Sequence, residues 1–223
     1  MESDGRNARQ LTFNTEGIPY ALRVSPDGHY VVFASAGGYQ IWRIDIDGNN
    51  AKQLTNSVLN NVDSLDFSPD GKSVVYNKWG AEKGIWKVSV EGGDPVRLSD
   101  AEAFTSAISP DGRWIAFSYR DEKATPSRGV AIMALAGGSP TRRVDVVTRL
   151  FRWDASGRSL VYTKNEGGVE NIWSQPIAGG APKQITHFSS LVIWSFDLSR
   201  DGKRLVMDRG IDNRDVVLIR DLR

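Results

Sequence analysis

One ten-residue phrase recurs along this chain, and the spacing of its copies constrains the fold more than any other feature. FSPDGKSVVY stands at 67–76, VSPDGHYVVF at 24–33, ISPDGRWIAF at 108–117 and LSRDGKRLVM at 198–207, with a looser copy, WDASGRSLVY, at 153–162. Taking the serine of each phrase as a marker gives Ser25, Ser68, Ser109, Asp154 (in the serine place) and Ser199, at steps of 43, 41, 45 and 45 residues. A period in the low forties belongs to propeller blades, each a four-stranded sheet. Helical arrays share that period. Here, however, the apolar runs are short, β-branched and aromatic, and are cut by Gly and Pro, so strands are expected throughout.

Within one repeat four strands can be read: DSLDF, SVVYN, GIWKVSV and PVRLS in the second copy. We label them A to D. The A–B connection is Ser-Pro-Asp-Gly. Pro26, Pro69 and Pro110 preset the first corner of the turn, Asp27, Asp70 and Asp111 suit the second, and the glycine that follows supplies positive φ. Trp42, Trp86 and Trp173 share one place in strand C, where the third and fifth copies have Ala131 and Val217. A large ring there is expected to fill the wedge between blades.

The fifth copy shows strands A to C and no D, while the segment RNARQLT at 6–12 resembles the strand D of other copies, NNAKQLT at 49–55 and APKQITH at 181–187. The expectation is an all-β chain: a β-propeller of five four-stranded antiparallel blades, in which the N-terminal segment forms the outer strand of the last blade and closes the ring. The blades then run over about 13–55, 56–99, 100–145, 146–187 and 188–223 plus 6–12, as one domain. The rival is a five-blade piece of a larger propeller.

Charge and composition exclude several functions. Lys and Arg total 28 against 27 for Asp and Glu, so there is no basic surplus for nucleic acid. The chain has no cysteine, hence no disulfide and no thiolate metal site. The opening MESDGRNARQ has no apolar core, so a secretory signal is not expected there, and no apolar run is long enough for a membrane span. DGKS at 70–73 lacks the upstream glycine of a phosphate loop, and DIDGNN at 45–50 misplaces the glycine of a calcium loop. No Gly-x-Ser-x-Gly elbow occurs. No catalytic residue, metal ligand or cofactor is assigned.

The turns Ser25–Gly28, Ser68–Gly71 and Ser109–Gly112, the pairs Ile41-Trp42, Ile85-Trp86 and Ile172-Trp173, and the QLT and QIT endings together resemble the TolB-like, WD-like bacterial propeller repeats over nearly the whole chain. The resemblance implies a propeller that binds proteins or peptides, in the periplasm or as the sensory part of a larger regulator.

Two sets of residues are candidates for a site. In an up-and-down blade the A–B and C–D turns lie on one face and the longer B–C and D–A loops on the other, where recognition is expected. On that loop face Trp79, Tyr119 and Arg120 have the character of interface anchors, with His187 beside them. The second set comes from the innermost strands: Arg23, Asp66, Arg152 and Asp197 share one position in four repeats and are candidates to line the axis. They could pair with one another or hold a small polar ligand or ion. The expected function is non-enzymatic protein or peptide binding. An accessory propeller of a regulator or prolyl-oligopeptidase-type peptidase, and a lactonase-like enzyme with a channel-mouth site, stand as alternatives.

Overall fold

The computed structural model describes residues 10–12, 19–35, 40–56, 62, 64–120 and 128–211. Its strands form antiparallel meanders in chain order. The first sheet has β1 (Pro19–Val24), β2 (Tyr30–Ser35), β3 (Gln40–Asp45) and β4 (Lys52–Gln53); the second has β5 (Leu65–Phe67), β6 (Ser73–Lys78), β7 (Gly84–Ser89) and β8 (Val96–Ser99). The third has β9 (Ala103–Ile108), β10 (Trp114–Arg120), β11 (Arg128–Ala134) and β12 (Arg142–Val144); the fourth has β13 (Phe151–Trp153), β14 (Ser159–Glu166), β15 (Val169–Pro176) and β16 (Lys183–Gln184). The last described sheet pairs β17 (Val192–Leu198) with β18 (Leu205–Gly210). The strand expected to follow it, VVLIR at 216–220, lies outside the described residues, as do residues 6–9 of the proposed closing strand.

The repeated phrase builds the same turn each time. The marker carbonyl accepts the N–H of the turn glycine at 2.8–3.0 Å in all five copies. Those glycines, Gly28, Gly71, Gly112, Gly157 and Gly202, have φ between +66° and +76°, where a side chain would be strained. The Ser25, Ser68, Ser109 and Ser199 hydroxyls each donate to the Asp two residues on, at 2.5–2.6 Å. Each hydroxyl also accepts the N–H five residues on, at 2.8–3.0 Å. In the looser fourth copy the two partners exchange places: Ser156 donates to Asp154 at 2.6 Å, and Asp154 accepts the Ser159 N–H at 3.0 Å. The same triangle survives the reversal because only the donor and acceptor have swapped positions.

The A–B and C–D turns of a sheet do lie at one end. The carbonyls of His29, Lys72, Arg113 and Arg158 accept the N–H groups of Ile46, Val90, Leu135 and Ile177 from the neighbouring turn. His29 itself is exposed and stands beside Asp27.

Consecutive sheets pack face to face, as a propeller requires. Val32, Ile41 and Leu54 of the first meet Leu65, Phe67 and Tyr76 of the second. Val75, Ile85 and Leu98 meet Ile115, Phe117 and Met133. Ala116 and Ile132 meet Phe151 and Leu160, and Val161 and Ile172 meet Ile193 and Phe196. Burying each such large side chain is worth about 1.5–3 kcal/mol before entropy is counted. The tryptophans of strand C reach the wedge as expected: Trp86 packs against the core between the first and second sheets, and Trp173 against that between the third and fourth. Trp42, Trp86 and Trp173 sit opposite Phe33, Tyr76 and Tyr162 in register but are only half-buried. Lys78, itself nearly buried, lies over the Trp86 ring at 4.2 Å and Lys164 over Trp173 at 4.6 Å, so each ring also carries a cation on one face.

The junction between the last sheet and the first is different. Leu22 is 52% exposed where its counterpart Leu65 is 1% exposed, and Val24 is 56% exposed where Phe67 is 6%. On the other side Val206 is 70% exposed, while Val75, in the same place of the second repeat, is completely buried. Two contacts nevertheless bear on this junction. The Arg200 guanidinium donates to the Pro26 carbonyl oxygen. Leu11 packs against Val31, Phe33 and Ile44, the surface that Leu98 of β8 covers on the third sheet.

Candidate functional site

The four axial candidates come together. Arg23, Asp66, Arg152 and Asp197 line a cavity of about 480 Å³ at the turn end of the sheets, to which all five sheets contribute. Pro26, Pro69 and Pro110, from the A–B turns, form much of its wall. The prolines are held by the next turn along: a Cβ on Gly71 would touch Pro26, one on Gly112 would touch Pro69, and one on Gly157 would touch Pro110. The third repeat puts Ala107 in the charged place.

Identical places give identical local bonding. Arg23 and Arg152 each donate from Nη1 to the carbonyl of the residue before, at 2.8 and 2.9 Å. Asp66 and Asp197 each accept, on Oδ1, the N–H of the residue after, at 3.0 and 2.8 Å. Asp66 also accepts the Ile108 N–H on Oδ2 at 2.7 Å, which fastens the second sheet to the third. Arg152 Nε lies 3.4 Å from Asp197 Oδ1. Burial pushes the Asp66 carboxyl upward, against the pull of the Ile108 N–H and the charges of Arg23 and Arg152. Burial pushes the Arg152 guanidinium downward, and the Arg23 charge adds to that, against Asp197 and Asp66.

The loop end carries a second hollow, a cleft of about 470 Å³ between the third and fourth sheets. Tyr119 and Arg120, at the end of β10, line it together with Arg128, which opens β11, and Phe104 of β9. Arg149 lines it from the crossing that leads into β13, and Glu170 of β15 lies at its far side. Tyr119 is not an open anchor. It is 7% exposed, its ring lies over Gly129 on the paired strand, and Arg143 stacks on it at 4.7 Å. Trp79 adjoins the cleft rather than lining it. Its ring packs edge to face on Phe104, with centroids 4.3 Å apart. His187 is exposed and does not line the cleft. Its neighbours Thr186 and Phe188 are both bonded to Asn171, which fixes that crossing.

Four contributors had not stood out in the sequence: Phe104, Arg128, Arg149 and Glu170. Glu170 is buried, accepts the Ile193 N–H at 2.9 Å and faces Arg149 Nη2 at 3.6 Å. Arg149 also donates to the Ile193 carbonyl at 3.3 Å, and its own carbonyl accepts the Thr105 hydroxyl at 2.8 Å. The signal was a charged residue just ahead of strand A on the loop side of a repeat. The described lining thus sets three guanidiniums against one carboxylate already engaged by backbone.

No curated protein matches the chain in sequence. Among solved structures, it is similar to a putative TolB from Agrobacterium tumefaciens, at 19% identity and a TM-score of 0.76, covering 91% of this chain and 74% of that one. It is similar to TolB from Acinetobacter baumannii at 19% identity and a TM-score of 0.63, covering 85% of this chain and 46% of that one. A chain of a nidogen/laminin complex gives 18% identity and a TM-score of 0.63, with 81% of this chain and 70% of that one covered. At such identities the likeness is one of fold. The family model for the TolB beta propeller domain (PD40) matches residues 4–151, and with the repeated turns and stacked four-stranded sheets this shows that the chain belongs to that family.

Proposed function

We propose that the protein is a non-enzymatic binding module that recognises a protein or peptide on its loop face. The observation that carries this is the cleft between the third and fourth sheets, where Phe104, Arg120 and Arg128 on strands meet Arg149 from the crossing into β13. Arginine and aromatic side chains on a fixed scaffold are what recognition surfaces are made of. The carboxylates at hand are engaged otherwise: Glu170 holds the Ile193 N–H, and Asp66 holds two backbone N–H groups. No general base stands next to a nucleophile among these described groups. One structural relative is itself part of a nidogen/laminin complex. A photo-crosslinking residue at position 128 is expected to trap a partner that the same residue at position 72, on the turn face, does not. Arg149→Glu should abolish the trapping. Equal capture from both faces would refute the reading.

The disc itself is taken as five blades closed by the N-terminal segment, over the boundaries given by the repeats. Arg200 on the Pro26 carbonyl and Leu11 in the outer-strand position support this. The alternative, an accessory propeller of a larger regulator or peptidase, draws support from the 46% of the Acinetobacter protein that the chain spans. Exposed Val24 and Val206 would then meet further chain.

A further inference from the structure

The turn-face mouth is lined by three arginines and three aspartates; Arg200 and Asp154 are engaged by the turns, while Arg23, Arg152 and Asp197 use only part of their hydrogen-bonding capacity. Arg23 and Arg152 each commit one Nη1 hydrogen to a backbone carbonyl. Among the described residues, the Nη2 groups of both have no hydrogen-bond partner, and neither does Arg23 Nε. Asp197 is bonded through Oδ1 alone, and its side chain is half exposed to the cavity and solvent. Arg23 and Arg152 line one cavity, and Arg152 feels the charges of Arg23, Asp197 and Asp66 together, so a single guest in that cavity can meet both guanidiniums.

These facts select the chemistry of an occupant. A carboxylate between Arg23 and Arg152 would accept the unused donors in the paired geometry that guanidinium favours. A lone anion would also meet Asp66 and Asp197, and a lone cation would meet both arginines. A molecule bearing both charges matches a lining in which these two arginines balance these two aspartates. The space, about 480 Å³ with a collar of Pro26, Pro69 and Pro110, suits a small molecule with a modest apolar part.

We infer that this mouth binds a small zwitterion of the free α-amino acid class, its carboxylate on Arg23 and Arg152 and its ammonium on Asp197. The site lies at the opposite end of the sheets from the loop-face cleft, so it stands or falls apart from the function proposed above.

The test is calorimetric titration of the full chain with each common free L-α-amino acid. The best ligand is then compared with its N-acetyl form, which lacks the ammonium, and its amide, which lacks the carboxylate. At least one amino acid should bind, and loss of either charge should weaken binding by about 10-fold or more. Arg23→Gln and Asp197→Asn should each do the same, while Lys183→Gln, exposed and outside both cavities, should change nothing. Asp197 is exposed enough that its amide variant should keep its fold. If Arg23→Gln melts early, Asp197→Asn and the ligand derivatives still decide the matter. Absence of binding by every amino acid up to about 10 mM would overturn the inference. So would an N-acetyl form that binds as tightly as its parent, or binding indifferent to Asp197→Asn.

Discussion

Arg200 and Pro26 lie 174 residues apart in sequence, and the guanidinium of one donates to the carbonyl of the other. Arg200 stands where the first three repeats have proline and the fourth has Ala155. A proline there would have rested under the next turn's glycine, as Pro26 rests under Gly71, whereas the space where a Cβ on Gly28 would project is empty. The arginine spans that gap with a bond in place of a contact.

Arg200→Ala is therefore expected to lower stability by about 1 kcal/mol, as for a charge-assisted bond near solvent. Hydrogen exchange should rise in β1 and β17 first. Urea melts of this variant and of Lys203→Ala, a control in the same turn, provide the check. Equal behaviour of the two would remove Arg200 from any role in joining the ends.

The Ser–Asp turns give the protein an acid limb. The Ser109 hydroxyl, the Arg113 N–H and then the Arg113 side chain hold Asp111 at about 2. Asp70 and Asp201 are lowered for the same first reason, the hydroxyl of Ser68 or Ser199. A carboxylate whose folded value lies below its unfolded one stabilises above the unfolded value, near ~4, and loses that contribution as pH falls through the folded value. Asp111→Asn should thus reduce stability at pH 7, by about 1 kcal/mol or less because the side chain is exposed. The gap from the parent should close as pH falls from about 4 to 2. Chemical denaturation across that range tests it, and a gap constant with pH would mean that the amide supports the turn differently.

Trp86→Ala is expected to cost about 3 kcal/mol, in the lower part of the range for large aromatic truncations because the ring is half-buried. Part of that cost comes through Lys78, whose side chain is 5% exposed, is bonded to Glu82 at 2.9 Å and would lose the ring on one side. Lys78→Met in the Trp86→Ala background should recover some stability, measured as a denaturation midpoint.

Gly84 opens β7 at φ +150°, and a Cβ there would run into the backbone oxygen of Ser99 on β8. Gly84→Ala should cost about 3 kcal/mol, since backbone cannot move aside. Gly93→Ala has open space at φ +112° and should cost only about 1 kcal/mol of backbone strain. Thermal melts of the pair would separate crowding from conformation.

The fold was legible because its determinants are local. Each copy, whether Ser-Pro-Asp-Gly, Asp-Ala-Ser-Gly or Ser-Arg-Asp-Gly, carries its own hydroxyl, carboxylate and glycine, so five copies announce five hairpins without reference to the rest of the chain. The axial set was legible for the same reason: a fixed offset from the marker fixes the strand position. What failed to show was whatever depended on a second strand. Tyr119 looked like a free anchor because Gly129 and Arg143, which cover its ring, are 10 and 24 residues away on β11 and β12. The tryptophans were legible as wedge residues, but their half-burial was not, because sequence does not say that Tyr76, opposite Trp86 in register, is the more deeply buried of the two. Arg149 was overlooked because it owes its place to Glu170 and Ile193 on different strands.

Ala107 carries one more consequence. In the closed five-blade ring proposed above, the positions around the axis would be odd in number, and an odd set cannot alternate in sign without two like neighbours somewhere. The order Arg23, Asp66, Ala107, Arg152, Asp197 would escape that conflict by leaving one position blank. The blank would also break an otherwise rotationally repetitive pattern and give such a rim a direction: a guest could tell one side of it from the other.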